Sequence, residues 1–113
     1  MRANCWLLFV LAGIVAGIAV TEAGENKGAE IIVLRGGRSG RVTFPHATHQ
    51  KVLKDCKLCH HLFPQKQGAI KDLKKQGELK KKAVMRNCMR CHRKTAKTGR
   101  KSGPVRCKTC HRK

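Results

Sequence analysis

The stretch CKLCHH, residues 56–61, decides how this chain folds. It contains the pattern CxxCH, in which Cys56 and Cys59 precede His60, and the pattern recurs as CMRCH at 88–92 and CKTCH at 107–111. CxxCH is the signature of c-type heme attachment, because its two thiols add to the vinyl groups on one porphyrin edge and the following histidine reaches the iron. The repeats predict three covalently bound hemes c, attached through Cys56, Cys59, Cys88, Cys91, Cys107 and Cys110.

Paired cysteines have two other common uses, in zinc ribbons and in disulfide frameworks. Neither use requires a histidine directly after each pair, whereas here all three pairs have one. Three pairs would also leave one without a partner in a four-cysteine zinc site. The sequence therefore favours heme attachment over zinc or disulfides.

The first 23 residues predict a secretory signal peptide. Arg2 precedes an uncharged run at residues 3–21, and small residues provide cleavage points after Ala19 or after Ala23. The alternative is a membrane anchor, because the uncharged run is about long enough to span a bilayer. The small residues near its end favour cleavage, so we expect export to the periplasm and a mature domain at 24–113 that does not span the membrane.

This mature domain has few side chains with which to build a core. It contains no Trp or Tyr, and its only Phe residues are Phe44 and Phe63. A domain of this size and composition needs a staple such as a metal or a covalent cofactor. The whole chain has 26 Lys and Arg against 6 Asp and Glu, a net charge of +20, so we expect it to bind acidic partners.

Regular structure is predicted to be sparse. Two short apolar runs around GGRSG predict a β-hairpin over residues 31–44. Helical segments are expected at about 46–54, 70–73 and 78–92, followed by a loop at 93–106. The predicted fold is a small heme-dominated α+β domain, in which an N-terminal two-stranded β-hairpin, two or three short helices and loops wrap around three c-type hemes.

The chain has six histidines that can serve as iron ligands. Three of them directly follow a cysteine pair and are predicted proximal ligands: His60, His92 and His111. His46 and His49 lie at i and i+3 on a predicted helix, so they project from one side about a turn apart and can each serve a different iron. His61 has no assigned role at this point.

The sequence resembles the class III multiheme cytochromes c, and most closely their triheme branch, cytochrome c7, which is related to the tetraheme cytochrome c3. The resemblance covers residues 31–113 and rests on the hairpin leading into VTFPH at 42–46, the HxxH pair, DCxxCH at 55–60 and GPVRC at 103–107. It implies a periplasmic electron carrier with bis-histidine hemes.

The same resemblance implies a ligand set for two of the hemes. His46 would complete the first heme opposite His60, and His49 the second heme opposite His92.

The third heme, attached next to His111, departs from the family pattern. The family places its sixth-ligand histidine four residues before the second CxxCH, where this chain has Val84. Met85 is one candidate, because methionine is a known heme ligand that raises the reduction potential, although a methionine on a helix face usually packs in a core. His61 is the second candidate, and a vacant or weakly ligated iron is the third possibility.

These features predict a soluble, monomeric, low-potential electron carrier and not an enzyme, since bis-histidine ligation leaves no open site for a substrate. The basic surface would steer docking to acidic redox partners, with candidate clusters at 71–82 and 93–101. The resemblance implies that these partners are other cytochromes, inner-membrane quinol-oxidising or hydrogenase systems and outer-membrane cytochromes, in anaerobic respiration.

Two other functions are compatible with parts of the sequence. One is a heme reductase of metals or small molecules that acts through a labile third heme. The other is an exported, heme-free cationic protein that binds nucleic acid or anionic membranes, although the export signal argues against a nucleic-acid partner.

Overall fold

The computed structural model describes residues 28–113. The signal peptide predicted for residues 1–23 lies outside the described residues. The elements, in chain order, are strands β1 (Ile31–Arg35) and β2 (Arg41–Pro45), helices α1 (His46–Leu53), α2 (Lys57–His60), α3 (Ala69–Lys75), α4 (Ala83–Lys97) and α5 (Cys107–Cys110), and strand β3 (His111–Arg112). This arrangement confirms the predicted small α+β domain with an N-terminal hairpin.

The sheet contains one strand more than the predicted hairpin. β1 and β2 pair antiparallel from Ile31 opposite Pro45 to Arg35 opposite Arg41, and a 3₁₀ turn connects them. β3 adds to the other edge of β2, with His111 opposite Val42. This two-residue strand directly follows the last cysteine pair, and no alternation of polar and apolar residues precedes it. Its pairing attaches the third CxxCH motif to the hairpin.

Helix α1 begins where the sequence predicts and ends one residue earlier. Pro45 occupies the N-cap position with a non-helical backbone, φ of −79° and ψ of 81°, so the helix itself begins at His46. The helix ends at Leu53 because Lys54 takes a left-handed conformation with φ of 56°. The first turn of α1 thereby carries His46 and His49.

Helix α4 is displaced toward the C-terminus relative to its prediction. It starts at Ala83 rather than 78 and continues to Lys97, so the loop predicted for 93–106 is wrong over residues 93–97. Arg, Lys and Ala favour helix, and the first effective stop is Gly99, which follows the cap with φ of 73°. Within residues 28–113, no helix combines the length and the apolar character needed to cross a bilayer.

The side chains of the described residues form almost no core. Only Ala69 and Leu79 are buried, at 5% and 7% exposure, and no side chain falls below 2%. Six large apolar side chains remain exposed: Ile31, Val33, Val52, Leu58, Met85 and Val105. The side chains of residues 28–113 therefore do not supply the hydrophobic core that a domain of this size needs for stability, as the composition predicts.

Candidate heme centres

Each CxxCH motif is presented by a helix. α2 carries the end of the first motif, α4 carries the second in its middle, and α5 spans both cysteines of the third. Residues three apart on a helix share a face, so the two thiols of each pair point to the same side. None of the six cysteines of the described residues forms a disulfide, so all six are available for thioether bonds.

The three cysteine pairs lie close enough to influence one another electrostatically. Burial raises the pKa of the Cys88 thiol, and the neighbouring Cys59 and Cys110 raise it further. Burial likewise raises the pKa of Cys59, and Cys91 and Cys56 add to this effect. Ionisation of the Cys88 thiol is therefore disfavoured by its burial and by thiols of both other motifs.

Two pairs of histidine rings face each other at nearly equal separations. The ring centres of His46 and His60 are 6.3 Å apart, and those of His49 and His92 are 6.2 Å apart. A metal–imidazole bond is about 2 Å long and the bound nitrogen lies about 1 Å from its ring centre, so rings that share one ion have centres about 6 Å apart. Each pair has the spacing of two axial ligands on one iron.

Hydrogen bonds determine which nitrogen of these four rings is free. The Nδ1 atoms of His46 and His49 donate to the carbonyl oxygens of Ala29 (3.0 Å) and Pro45 (2.8 Å), respectively. The Nδ1 atoms of His60 and His92 donate to the carbonyl oxygens of Phe63 (3.2 Å) and Pro104 (2.8 Å), respectively. Because a carbonyl oxygen can only accept, Nδ1 carries the proton and the neutral ring keeps its lone pair on Nε2. Such bonds orient metal-ligating imidazoles and raise their basicity.

Both phenylalanines of the described residues pack against these rings. The ring centre of Phe44 lies 4.4 Å from that of His49 and 5.9 Å from that of His46. Phe63 meets His60 edge-on, with centres 5.1 Å apart. The only large aromatic side chains in residues 28–113 therefore position predicted ligands instead of forming a separate core.

His111 has different surroundings from the four paired rings. Its Nδ1 is buried and has no hydrogen-bond partner within residues 28–113. Among the same residues, no second aromatic ring contacts it. A Cβ at Gly36 would meet the backbone carbonyl oxygen of Gly40 and would lie 2.5 Å from Nδ1 of His111, so both the hairpin turn and the approach of this ring require glycine there.

The two further ligand candidates lie on the surface. His61 is exposed, and its Nδ1 donates to the carbonyl oxygen of Lys57 at 2.9 Å. Met85 is 45% exposed and lines a groove along α4 with Met89 and basic side chains. Val84 stands where the family that the sequence resembles has its sixth-ligand histidine, and its side chain is half-buried. The structure assigns neither candidate to the third iron, so both remain predictions.

A substitution at Gly103 is expected to disturb the second heme. A Cβ in Gly103→Ala would lie 2.5 Å from Nε2 and 2.8 Å from Nδ1 of His92, while Pro104 holds this ring through Nδ1. Such overpacking typically costs about 1–3 kcal/mol. We expect one heme in three to lose its low-spin character, which visible absorption and paramagnetic resonance of the purified protein would measure.

The matched control for this variant is Gly99→Ala. Gly99 has φ of 73°, and a Cβ at this position would meet nothing within 4 Å, so alanine there adds backbone strain of about 1–2 kcal/mol without a ring contact. Its heme spectrum should match that of the parent protein. A Gly103→Ala spectrum equal to that of the control would show that the His92 ring is not confined at this position.

Known proteins share these features. The sequence profile of the Class III cytochrome C family matches residues 21–111. The chain is 35% identical over 77 residues to cytochrome c7 of Geobacter metallireducens. The aligned stretch covers 67% of this chain and 69% of that protein. The solution structure of the triheme cytochrome PpcA from Geobacter sulfurreducens has a TM-score of 0.51 and 36% identity, covering 75% of this chain and 100% of that chain. A second structure from the triheme cytochrome family of Geobacter sulfurreducens has a TM-score of 0.50 and 35% identity with the same coverage.

A multiheme c-type cytochrome is the class of protein that this fold and these motifs define. More narrowly, the chain belongs to the class III cytochrome c family, and its similarity to cytochrome c7 confirms the resemblance predicted from its motifs. Its cofactor is three covalently bound hemes c, which excludes the zinc and disulfide interpretations of the cysteines, and its general role is electron transfer.

Proposed function

We propose that this protein is a periplasmic, low-potential electron carrier that shuttles electrons between redox partner proteins in anaerobic respiration. The observation that carries the proposal is the spacing of two histidine pairs, His46 with His60 and His49 with His92, at 6.3 and 6.2 Å. When bound, each heme supplies one-electron exchange between ferric and ferrous iron. At the two hemes that these pairs would hold, two imidazoles would leave no coordination position for a substrate, which favours a carrier over an enzyme.

The ligand rings also favour a low reduction potential. Histidine on both sides of the iron gives a lower potential than a histidine–methionine set. In all four paired rings the Nδ1–H group donates to a backbone carbonyl, which makes Nε2 a stronger donor and stabilises ferric iron. These contacts depend on backbone atoms, so they are built into the fold.

The proposed location follows from the N-terminal sequence. Residues 1–23 have the features of a cleaved export signal, and the match to the family begins at residue 21, close to the proposed cleavage points. We propose that the mature chain is a monomer that does not span the membrane and has no nucleic-acid partner.

The proposed docking surface is the exposed face of α4. Five exposed basic residues follow one another at helical spacing, and we call them the α4 basic stripe: Arg86, Arg90, Arg93, Lys94 and Lys97. The acidic residues of the described chain all lie outside α4: Glu30, Asp55, Asp72 and Glu78. Because α4 also carries His92, a partner at the stripe would lie beside the second heme.

Acidic surfaces are the chemistry that this stripe would attract. Opposite charges raise the rate of encounter and lose this effect as salt screens them. We propose acidic redox proteins as partners: other cytochromes, inner-membrane quinol-oxidising or hydrogenase systems, and outer-membrane cytochromes.

Electron transfer from the purified protein tests this proposal. The protein, recovered from the periplasmic fraction without its signal peptide, should exchange three electrons per molecule in a redox titration. Reversing two charges of the stripe in Arg90→Glu/Arg93→Glu should slow reduction of the anion ferricyanide about tenfold at low ionic strength, as electrostatic steering predicts. Stopped-flow absorbance over a range of salt concentrations would measure this.

The control keeps the change in net charge and moves it elsewhere. Lys66→Glu/Lys113→Glu makes the same number of charge reversals at exposed positions outside α4. Its rate of ferricyanide reduction at low ionic strength should fall less than that of the stripe variant. The rates of the two variants should become equal at high salt. Equal rates for both variants at low salt would contradict docking at the stripe.

A further inference from the structure

Three arginines lie side by side across the sheet. Arg35 of β1 is opposite Arg41 of β2, and Arg41 is opposite Arg112 of β3, so each strand contributes one arginine. All three residues are exposed, and we call them the arginine row. We propose that the arginine row is a binding site for a compact polyanion that carries phosphate-type groups. This site goes beyond electron transfer and depends on the folded sheet, not on the proposed carrier function.

The pairing of the strands brings the arginine side chains close together. The N–H group of Gly36 donates to the carbonyl oxygen of Gly40 at 2.9 Å. Hydrogen-bonded and non-hydrogen-bonded pairs alternate along an antiparallel ladder, so the next pair, Arg35 and Arg41, is non-hydrogen-bonded. In pairs of this kind the opposed side chains lie closest. Neighbouring strands are about 5 Å apart, so the whole row spans about 10 Å.

Strand β3 is packed tightly against the hairpin turn. A Cβ at Gly40 would overlap the backbone carbonyl group of Arg112, and Gly40 has φ of 93°. Any other residue at this position would push β3 away and move Arg112 out of the row. On the other side of the turn, Arg35 and Arg41 line a groove with the turn glycines. The backbone therefore fixes the positions from which the three arginines extend.

The described chain does not neutralise the arginine row. Within residues 28–113, none of the three arginine side chains forms a hydrogen bond or an ion pair. The segments 31–54 and 79–113, which contain the row, have no Asp or Glu. Like charges directly opposite each other destabilise a sheet. A bound anion would remove this repulsion, so the folded sheet favours anion binding.

Protection of the sheet edges does not account for the row. Charged side chains on edge strands prevent pairing with other chains, which is a sufficient reason for Arg35 and Arg112. Arg41, however, lies on β2, which is the central strand and is paired on both sides. A charge at this position protects no edge. It instead joins the two edge charges into one continuous row.

The arginine row lies on the face of the sheet that points away from the predicted heme ligands. Successive residues of a strand point to opposite faces. In β2, Phe44 is half-buried and packs against His49, whereas Arg41 is exposed. In β3, His111 is half-buried and Arg112 is exposed. The row is therefore open to a ligand from solvent.

Phosphate-type groups match the row better than single carboxylates do. Guanidinium groups bind both kinds of oxyanion through paired N–H bonds. A phosphate group carries about −1.5 to −2 charges and three acceptor oxygens, so one group can accept bonds from two neighbouring arginines. Three cations within about 10 Å are thus matched by two or three linked phosphates.

Tripolyphosphate binding to the heme-loaded protein tests the proposal. We expect calorimetry to show one strong site, and amide shifts during the titration to locate it at residues 35–41 and 111–112. Arg41→Lys keeps the charge but loses the paired N–H groups, so its affinity should fall about tenfold. Arg35→Gln/Arg41→Gln/Arg112→Gln should lower the affinity about 100-fold, because several charge-assisted bonds are lost.

The matched control removes three charges outside the sheet, in Lys51→Gln/Lys66→Gln/Lys54→Gln, all at exposed positions. Its affinity should fall by about threefold at most, because distant exposed charges are screened by salt. Equal losses in this control and in the three-arginine variant would overturn the proposal, as would an Arg41→Lys affinity equal to that of the parent. A hexaglutamate peptide that binds as tightly as tripolyphosphate would overturn the preference for phosphate. Mass measurement of three attached hemes establishes that each variant is intact, and the redox titration tests electron transfer separately.

Discussion

A chain that cannot attach heme is expected to be unfolded. Replacing all six motif cysteines by serine removes every covalent bond to the cofactor: Cys56, Cys59, Cys88, Cys91, Cys107 and Cys110. Among the described residues, only Ala69 and Leu79 are buried by other parts of the polypeptide. Burying a leucine side chain contributes about 1.5–3 kcal/mol, whereas ordering each residue of the backbone costs about 1–2 kcal/mol. Side-chain burial therefore cannot offset the loss of conformational entropy.

Circular dichroism and amide proton dispersion would measure this loss of structure against the heme-bound protein. A variant in which only Cys107 and Cys110 become serine provides the graded control. This variant loses only the heme of the third motif, which β3 joins to the hairpin. We therefore expect it to be partly ordered and to melt at a lower temperature than the parent protein. Native-like amide dispersion in the six-serine variant would show that the polypeptide has a core independent of heme.

The sequence predicts the chemistry of the site because that chemistry is local. CxxCH confines two thiols and a histidine to five consecutive residues, and no distant contact is needed to recognise it. The hairpin is equally local, since a glycine-rich turn lies between two short apolar runs. The spacing of His46 and His49 predicts that they serve two irons. In the structure the two rings lie near different histidines, His60 and His92, and their ligation of iron stays a prediction.

Contacts between distant parts of the chain could not be predicted. Strand β3 depends on a partner about 70 residues earlier, and its two residues carry no strand pattern of their own. The roles of Gly36 and Gly103 depend on histidine rings that approach them in the folded chain, and their neighbours in sequence give no indication of it. Phe63 follows the first motif by three residues, and this position was a weak signal for its contact with His60.

The extension of α4 has a different cause. The sequence 93–97 is rich in lysine and arginine, which suggested a solvated loop, yet these residues have good helix propensity. The hydrophobic pattern ends at His92, and propensity alone continues the helix to Lys97. This extension is what aligns Arg93, Lys94 and Lys97 with the earlier arginines as one stripe.

Replacing His49 by alanine is expected to convert the second heme from low-spin to high-spin. The ring of His49 lies 6.2 Å from that of His92, and Nδ1 bonds leave Nε2 of both rings available to one iron. Removal leaves that iron with a single imidazole. The reduced variant should bind one more carbon monoxide per molecule than the parent protein, and free imidazole should restore the low-spin spectrum because it fits the space beside Phe44.

The matched variant His46→Ala should produce the same change at a different heme. The planes of His46 and His60 are inclined by 80°, but those of His49 and His92 by only 32°, so the two low-spin ferric hemes should give distinct paramagnetic resonance signals. Each variant should remove a different one of these signals. Loss of the same signal in both would contradict the pairing, because it would place His46 and His49 on one iron. Retention of both signals in His49→Ala would show instead that another residue completes the second heme. The pair of variants therefore tests the ligand assignment itself, independently of any partner and of the third heme.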